Sequence, residues 1–282
     1  MSTAAIIVHY RTPERLRACI DALRGQTAPP QQIVVVDNSG TDRAAPEPPT
    51  GAGWTVLRSG RNDGYGAACN RGARACNEGQ LLFMNADLVL DVDACAQLDA
   101  CAAAHPAAAV FGPRIFGADG EIELSARAFP RLRTGVLGRS SLATRLLRTV
   151  AGTPPSVAMA LTGSTREVDW VSGACMLVRR GAFDRVGGFD EAYWMYWEDA
   201  DLCRRLRNEE LATMICVEAV AHHATGSSGQ TTRSISAFHD SAARYYEQHV
   251  ARGRGSAHAA RLLLRARERL VIARLGKWRS RG

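Results

Sequence analysis

The sequence predicts an α/β protein with a mostly parallel central sheet flanked by helices, followed by a helical extension at the C-terminus. Three observations lead to this prediction. Short apolar or β-branched runs alternate with segments of helical periodicity in the first half. Hydrophobic residues make up 46% and charged residues 22% of the 282-residue chain, as in globular proteins with a sizeable core. Residues 229–282 are helical in pattern and basic, so we separate them from an α/β domain at 1–228.

The first half shows repeated strand and helix units. Ala4–Val8 is a short apolar run typical of a buried strand, and Thr12-Pro13-Glu14 then begins a helix with proline at its first position. That helix continues through Leu16, Ile20 and Leu23. Further strands are expected at Ile33–Val36, Thr55–Leu57, Leu81–Met84 and Val110–Phe111, and further helical segments at Asn70–Asn77 and Ala94–Ala104. Such sheets bind ligands beyond the carboxyl ends of their strands, so the polar residues after each strand matter most.

The second half is less regular. Arg127–Thr165 is rich in Arg, Ser, Gly and Pro without periodicity, which indicates a mobile insertion or a loosely helical excursion near the site. Within it, Thr149–Thr165 is the longest uncharged stretch, and Pro154 and Pro155 exclude a membrane-spanning helix there. Regular patterns resume at Val168. The sequence then predicts an apolar run at Trp170–Val178, a turn at Gly187–Asp190 and a helix at Asp199–Leu206. A last strand at Cys216–Ala221 and two helices at Ser234–His249 and Ala259–Leu275 follow.

The eight cysteines show neither a C-x-x-C pair nor a zinc spacing, and no secretory signal precedes them. We therefore expect reduced cysteines that behave as small buried hydrophobic residues in a cytoplasmic protein.

Acidic residues stand at the ends of predicted elements in three places. Asp37 and Asp87 each follow a predicted strand, and Glu198-Asp199 follow the aromatic run Tyr193–Trp197. Each acid alone is more often a turn former or a helix cap. At the ends of neighbouring parallel strands, however, carboxylates converge on one cleft. There they supply hard oxygen ligands for Mg²⁺ or Mn²⁺ and a group for proton transfer.

A glycine-bearing loop and a histidine pair are further candidates. Asn62–Asn70 runs into a predicted helix, so its free amides suit a phosphate group, although a tight turn with close helix packing explains the spacing equally well. Its G-x-G lacks a third glycine, which argues against a nicotinamide dehydrogenase. His222 and His223 point to opposite sides of a strand, and we favour His222 as the one facing the site. The sequence has no G-x-S-x-G, H-E-x-x-H or P-loop, which argues against α/β-hydrolases, zincins and P-loop kinases.

Taken together, these motifs resemble glycosyltransferase family 2. Each motif is weak alone, but the set is specific and covers residues 4–228 in order. The matching segments are Ile6-Ile7-Val8-His9-Tyr10, Val35-Val36-Asp37-Asn38-Ser39, Asn62 to Gly72, Asn85-Ala86-Asp87, Trp170 to Arg180, Gly187-Gly188-Phe189-Asp190-Glu191, Met195 to Leu202 and Val220-Ala221-His222-His223. Within the family, the chain is most similar to bacterial rhamnosyltransferases, including mycobacterial ones that act on decaprenyl-diphospho-N-acetylglucosamine.

The resemblance implies a Rossmann-like GT-A fold, a nucleotide-sugar donor, Mg²⁺ or Mn²⁺, and inversion at the anomeric carbon. It assigns Asp199 as general base with Glu198 as its neighbour, Asp87 as metal ligand, and His222 as a second ligand with His223 as the alternative. The nucleotide-sugar pocket would comprise Tyr10, Asp37, Asn62, Gly64, Asn70, Asn85, Asp87, Ser172 and Gly173, with Asp37 on the base. In two places this chain departs from the family: Asn85-Ala86-Asp87 replaces the usual D-x-D, and Arg11 stands where many members have Asn.

The predicted function is transfer of L-rhamnose from dTDP-L-rhamnose to a polyprenyl-diphosphate sugar or a cell-envelope glycan, at the inner face of the plasma membrane. Tyr193–Trp197 and Arg127–Thr165 are candidates for a wall and a lid that exclude water, unless the aromatic residues are simply core. One alternative is transfer from another nucleotide sugar to a secondary-metabolite acceptor. The other is a non-catalytic scaffold that binds sugar nucleotides.

The C-terminal extension is strongly basic. Residues 251–282 hold ten basic residues against one acid, and Leu263, Ala266, Leu270 and Ala273 recur at helical spacing among the arginines. This pattern fits an interfacial helix on anionic lipid, a helix packed on a partner subunit in a homodimer, or a nucleic-acid contact. The lipid-linked acceptor implied by the resemblance favours the first interpretation and makes nucleic acid the least favoured partner.

Overall fold

The computed structural model describes residues 2–48, 51, 53–130, 163–223 and 231–279. Its strands are β1 (Thr3–His9), β2 (Gln32–Asp37), β3 (Trp54–Arg58), β4 (Gln80–Asn85), β5 (Leu88–Leu90), β6 (Ala108–Phe116), β7 (Ala126–Arg127), β8 (Arg166–Val168), β9 (Trp170–Val171), β10 (Cys175–Arg179) and β11 (Ala212–His223). Its helices are α1 (Pro13–Arg24), α2 (Tyr65–Arg74), α3 (Ala94–Ala104), α4 (Arg180–Arg185), α5 (Glu198–Asn208), α6 (Thr232–His249) and α7 (Arg254–Arg279). Most of the predicted insertion, residues 131–162, lies outside the described residues.

One mixed sheet forms the centre of the protein, in the order β3-β2-β1-β4-β10-β6-β11-β5, with β8 paired to β11. Strands β3, β2, β1 and β4 are parallel neighbours, as are β6 and β11. Strand β10 runs antiparallel between β4 and β6, and β5 and β8 run antiparallel to β11. The predicted α/β architecture is confirmed. The antiparallel strands were not predicted, because an apolar run shows that a strand is buried but not which way it runs.

Helices cover both faces of the sheet. Side chains of α1 and α3 pack in one core with alternate strand residues such as Ile7, whereas α2, α4 and α5 pack in a second core with residues such as Ile6. Because both faces are covered, every residue of β1 except the partly buried Val8 is buried. This explains why the central strands appear in the sequence as continuous apolar runs.

Helix boundaries agree with the sequence at α1 and α3, whereas α7 begins five residues before the predicted Ala259–Leu275 and α4 was not predicted. Helix α1 begins at Pro13 and α3 spans Ala94–Ala104, both as predicted. Helix α2 spans Tyr65–Arg74, so it overlaps the predicted helical segment Asn70–Asn77 only in part, and it begins directly after Gly64, whose φ is 99°. The glycine-bearing loop is therefore shorter than predicted, and its second glycine, Gly66, lies inside the helix.

The prediction that all cysteines are reduced is wrong for one pair. Cys101 of α3 and Cys216 of β11 form a disulfide, with 6.2 Å between their Cα atoms. They are 115 residues apart, so no local spacing pattern signals the pairing. The other six cysteines are buried free thiols, as predicted, and burial raises the pKa of Cys19 and Cys95 to about 12.

Helix α6 packs against the segment that leads into α5. Tyr245 of α6 shares a cluster with Tyr193 and Ala200, and His249 Nε2 lies 2.7 Å from the buried Asp201 Oδ1 of α5. The C-terminal extension therefore helps to hold α5 in position. Across the described ranges, no helix has the length and apolar character needed to cross a membrane.

Candidate active site

Two of the predicted acidic positions lie along one edge of the sheet. Strands β2 and β4 flank β1, and their registers pair Asp37 with His9 and Asn85 with Val8. Asp37 and Asn85 thus stand at the carboxyl ends of strands separated by a single strand, and Asp87 follows Asn85 by two residues. This is the edge at which parallel α/β sheets bind ligands.

The loop Ser172–Ala174 connects this edge to α5. Because β10 runs antiparallel to β4, the start of β10 lies beside the end of β4, and the Asn85 N–H donates to the Ala174 carbonyl at 2.9 Å. The Gly173 N–H donates to Asp199 Oδ2, also at 2.9 Å. Asp199 is therefore linked to the segment Asn85-Ala86-Asp87 through two adjacent loop residues.

Asp37 is held in a dense hydrogen-bond network. Its Oδ1 accepts the Ser39 backbone N–H at 2.9 Å and lies 3.0 Å from His9 Nδ1, while its Oδ2 accepts the Ala45 N–H at 2.7 Å and Arg58 Nη1 at 3.0 Å. Burial raises the pKa of Asp37, but these hydrogen bonds outweigh burial, so the pKa lies below its ordinary value. Both carboxylate oxygens thus bind groups of the protein itself and order the loop after β2. The contact of Asp37 with a base stays a prediction.

The loop Asn62–Gly64 is fixed on two sides. Asn62 Oδ1 accepts the Gly64 N–H at 3.0 Å, and the Gly64 carbonyl accepts Asn38 Nδ2 at 3.0 Å next to the end of β2. The Tyr65 N–H, at the start of α2, donates to the Trp194 carbonyl at 3.0 Å. The loop therefore ties the edge of the sheet to the aromatic run that precedes α5.

We expect Gly64→Ala to lower the free energy of unfolding by about 3 kcal/mol or more, because strained backbone conformations and steric overlap add. A Cβ at Gly64 would lie 2.3 Å from the Trp194 carbonyl oxygen, which is backbone and cannot rotate away. Gly187 is a matched control, with a φ of 75° and nothing within 4 Å of an added Cβ, so Gly187→Ala should lose only about 1 to 2 kcal/mol. Urea unfolding measures both, and equal losses would contradict the contact with Trp194.

Asn70 has a structural role in the described contacts. Its Oδ1 accepts the Phe189 N–H and its Nδ2 donates to the Phe189 carbonyl, both at 2.9 Å, and the side chain is buried. These bonds hold the turn at Gly188, whose φ is 75°. They give no support to the predicted nucleotide contact of Asn70, which stays untested.

The other predicted pocket residues lie at the same edge of the sheet. Tyr10 directly follows β1 and is exposed, with the Arg11 guanidinium 5.2 Å from its ring centroid. Ser172 precedes Gly173 in the loop before β10, and its hydroxyl oxygen accepts the Ala174 N–H at 3.3 Å.

Glu198 and Asp199 occupy the first turn of α5, after a strained entry. Tyr196 and Trp197 both have left-handed backbone angles, with φ values of 67° and 70°. Bulky residues adopt this conformation only where the surrounding structure enforces it, and such strain is concentrated at functional sites. The entry turns the side chain of Glu198 into the protein, where it is 6% exposed, and leaves Asp199 half-buried beside Gly173.

The environment of the two carboxylates disfavours their ionised forms. Burial raises the pKa of Glu198 well above its ordinary value, and the neighbouring charge of Asp199 raises it further. Glu198 Oε2 is buried without a hydrogen-bond partner. Burial also raises the pKa of Asp199, although the N–H groups of Gly173 and Ala200 and the charge of Arg127 act in the opposite direction. An accessible carboxylate with a raised pKa is a stronger base than an ordinary aspartate.

We expect Glu198→Gln to stabilise the protein at neutral and alkaline pH. The pKa of Glu198 is higher in the folded than in the unfolded state. The protonated side chain therefore makes its full contribution to the free energy of unfolding below the unfolded pKa, and this contribution is lost as pH rises through the folded pKa. Glutamine cannot ionise, so the difference in free energy of unfolding between variant and wild type should grow from pH 5 to pH 9. Glu209→Gln, at an exposed position, should show no such trend. Urea titrations at three pH values measure this difference. A difference between the Glu198→Gln variant and wild type that does not change with pH would exclude a buried ionisable Glu198.

The aromatic run divides into core and surface residues. Tyr193 is fully buried, and its hydroxyl donates to Gln248 Oε1 at 2.6 Å. Tyr196 is exposed and lies 5.8 Å from the ring of Phe238 in α6, whereas Trp197 is half-buried between Phe238 and Tyr245. The interpretation as core is therefore correct for Tyr193, whereas the role of the exposed Tyr196 as a wall stays a prediction.

The predicted metal ligands do not form a complete cage. Asp87 is partly exposed, and its carboxylate lies 3.6 Å from Arg15 Nη1. His222 Nε2 lies 3.0 Å from Asp91 Oδ1 and its ring stacks on Phe116, while His223 is paired in register with Leu88, next to Asp87. His223 Nδ1 in turn lies 2.9 Å from Glu123 Oε1, so each histidine already faces a carboxylate, and the choice between the two as metal ligand stays a prediction. Within the described part of the chain, no three His, Cys, Asp or Glu side chains are arranged to hold a metal.

One carboxylate still fits the expected cation. Magnesium and similar ions are commonly held by one or two carboxylates together with substrate phosphate oxygens and water. Asp87 supplies such a carboxylate, and it is not enclosed in a network like that of Asp37.

The structure also brings to the site residues that sequence reasoning missed. Arg15 projects from the first turn of α1 toward Asp87, Arg127 lies close enough to Asp199 to lower its pKa, and the Tyr65 hydroxyl donates to the Gly173 carbonyl. The position of Arg15 just after a strand and a proline was the one available signal, since such helix starts face the ligand edge.

Comparison with protein families matches residues 4–187 to Glycosyl transferase family 2 and residues 153–228 to the N-terminal domain of galactosyltransferase. The chain is 33% identical to N-acetylglucosaminyl-diphospho-decaprenol L-rhamnosyltransferase of Mycobacterium tuberculosis, over 83% of this chain and 80% of that protein. It is 26% identical to the low-salt glycan biosynthesis hexosyltransferase Agl10 of Haloferax volcanii, over 77% of this chain and 66% of the relative.

Solved structures show the same fold at low identity. GalNAc-T7 with UDP, GalNAc and Mn²⁺ has a TM-score of 0.58 and 14% identity, over 90% of this chain and 52% of its own. The mannosyltransferase PcManGT from Pyrobaculum calidifontis with GDP-Man and Mn²⁺ has a TM-score of 0.54 and 13% identity, over 93% of this chain and 69% of its own. The chain thus spans about half the length of GalNAc-T7. These likenesses confirm the predicted GT-A fold.

Proposed function

Because the chain belongs to glycosyltransferase family 2, we propose that it moves L-rhamnose from dTDP-L-rhamnose to a polyprenyl-diphosphate sugar or a related cell-envelope glycan, with inversion. The choice of donor and acceptor rests on the 33% identity to the mycobacterial rhamnosyltransferase over 83% of the chain. The proposal of catalysis rests on one geometric observation, the loop Ser172–Ala174 that joins Asp199 to Asn85-Ala86-Asp87.

Asp199 acts as the general base in this proposal. An acceptor hydroxyl is a poor nucleophile, so a carboxylate must take its proton as the oxygen bonds to the anomeric carbon. The bond from that carbon to the dTDP oxygen breaks in the same step, and dTDP leaves with the bonding pair. Asp199 suits this role because its Oδ2 is oriented by the Gly173 N–H, it is half-buried, and burial raises its pKa.

The donor lies along the carboxyl edge of the sheet in this proposal. The loops at Asp37 and Asn62–Gly64 line the nucleoside, with Tyr10 beside them, and Asn85, Ser172 and Gly173 face the sugar and diphosphate. The ordered networks around Asp37 and Gly64 support this placement, because a preorganised pocket loses less entropy when it binds its ligand.

Asp87, together with His222 or His223, would hold the divalent cation. When bound, such a cation neutralises the charge that develops on the departing diphosphate. Arg15 adds a fixed positive charge on the same side, 3.6 Å from Asp87. In this proposal Asp199 acts on the acceptor at one end of the site, and Asp87 with Arg15 acts on the leaving group at the other end.

A lipid-linked acceptor places the reaction at a membrane surface. In this proposal the enzyme works as a peripheral protein at the inner face of the plasma membrane, where a polyprenyl-diphosphate sugar presents its hydroxyl groups to water.

A product assay tests the function. The protein is incubated with dTDP-L-rhamnose, UDP-GlcNAc, UDP-glucose or GDP-mannose, each with a polyprenyl-diphosphate-N-acetylglucosamine acceptor, and products are identified by mass. The proposal expects an increase of one deoxyhexose with dTDP-L-rhamnose alone. A product with another donor would overturn the choice of sugar. Calorimetric binding of dTDP without release of product from any donor and a membrane lipid extract would indicate a non-catalytic scaffold.

A further inference from the structure

Helix α7 presents an apolar stripe to solvent. Leu262, Leu263 and Leu270 are 54%, 48% and 62% exposed, and they make up half of the six large hydrophobic side chains exposed in the described residues. Ala266 and Ala273 are also exposed. At 100° per residue these five side chains project from one side of the helix. They therefore form a continuous outer face, which we call the leucine stripe.

The leucine stripe is not needed to pack α7 on the protein. Ala260 and Leu264 lie on the opposite side of the helix, are each 1% exposed, and form the packed face. Arg261 anchors the same region through Glu247 of α6. Since α7 already buries one apolar side, the second apolar side is free to bind a partner.

Arginines border the leucine stripe on both sides. Arg265 and Arg269 lie along one border and Arg274 along the other, and all three are exposed. In the ranges that the structure describes, no acid lies within ion-pair distance of these three side chains. The outer half of α7 is therefore an apolar strip between rows of positive charge.

This arrangement restricts the class of partner. A second copy of α7 would bring arginine rows against arginine rows, because residues 251–282 carry ten basic residues and one acid. A nucleic acid would pair with the arginines but would leave three leucines without an apolar environment. An anionic bilayer supplies both an apolar interior and a negative surface.

We propose that the leucine stripe of α7 docks in the plane of an anionic membrane, with Leu262, Leu263 and Leu270 among the acyl chains and the bordering arginines on lipid phosphates. The inference goes beyond the proposed transfer reaction, because it depends only on the surface of α7. It also makes the extension the element that concentrates the enzyme where a lipid-linked acceptor would lie.

Vesicle co-sedimentation with the full chain tests the proposal. Wild type should bind phosphatidylglycerol-containing vesicles and bind pure phosphatidylcholine vesicles weakly. Replacing three arginines (R265Q/R269Q/R274Q) should weaken binding about a hundredfold, since each basic residue near such a surface contributes about a fivefold factor. Replacing three leucines (L262A/L263A/L270A) should weaken it by at least about tenfold while keeping a helix-forming residue at each position.

A matched control separates the stripe from net charge. Arg17, Arg24 and Arg185 are exposed on other surfaces, so R17Q/R24Q/R185Q loses the same charge and should bind vesicles nearly as wild type does. Thermal melting and calorimetric binding of dTDP verify that every variant is folded, independently of sugar transfer.

Three results would overturn the proposal. The first is equal vesicle binding by wild type and both stripe variants. The second is a wild-type dimer, without lipid, that the leucine variant converts to monomer, which would make a second copy the partner. The third is binding to duplex DNA, but not to anionic vesicles, that the arginine variant abolishes.

Discussion

Replacing Asp199 by Asn should reduce sugar transfer by about 10³-fold, within the range that general base catalysis contributes, while dTDP-sugar affinity changes little. Asparagine keeps the size of the side chain and can still accept the Gly173 N–H, which is 2.9 Å from Oδ2 in the wild type. It cannot take a proton from the acceptor hydroxyl. The expected signature is therefore a loss in kcat with donor binding preserved.

Steady-state kinetics together with calorimetric titration of dTDP separate these effects. Asp184→Asn, at an exposed position on α4, is the control for removal of one negative charge and should keep wild-type activity. Full activity of the Asp199→Asn variant would remove Asp199 as the base. Loss of donor binding in the same variant would instead give Asp199 a structural role through the loop Ser172–Ala174.

Removal of divalent metal should stop turnover, and Asp87→Asn should lower it by at least about 10²-fold, because electrostatic stabilisation of a developing negative charge typically contributes this much or more. Asp87 is the partly exposed carboxylate after β4, and asparagine at this position keeps its shape without its charge. Treatment of wild type with EDTA should abolish transfer, and added Mg²⁺ or Mn²⁺ should restore it.

A binding measurement makes this prediction independent of activity. Mn²⁺ should strengthen binding of dTDP to wild type, and Asp87→Asn should remove this gain. Asp93→Asn, at an exposed position nearby in sequence, should retain the gain. Full turnover in chelator, or an undiminished effect of Mn²⁺ on the Asp87→Asn variant, would refute a metal at Asp87.

The candidate site shows which properties of single residues could be foreseen. Asp37, Asp87 and Asp199 were identified because carboxylates at strand and helix ends are visible as local pattern, and the register of β1 with β2 and β4 then brings Asp37 and Asn85 to one edge. The function of each side chain was less visible. Asn70 is next to a glycine-rich loop in sequence, yet its amide bonds to Phe189, 119 residues away.

The choice between His222 and His223 illustrates the same limit. Alternation along a strand shows that the two side chains point to opposite sides, but only the folded chain shows their partners, which are Asp91 for His222 and Glu123 for His223. The disulfide between Cys101 and Cys216 is similar, because it depends on where α3 packs on β11.

Local pattern alone predicted the main strands and helices of the α/β domain and the positions of the acids, because helical and strand periodicity are properties of neighbouring residues. Only the folded chain determined the direction of β10, the burial of Glu198 beside the half-buried Asp199, and the solvent-facing side of α7. These features depend on contacts between residues far apart in sequence. A side chain's solvation, charge state and partners follow from such contacts, and no spacing along the chain encodes them.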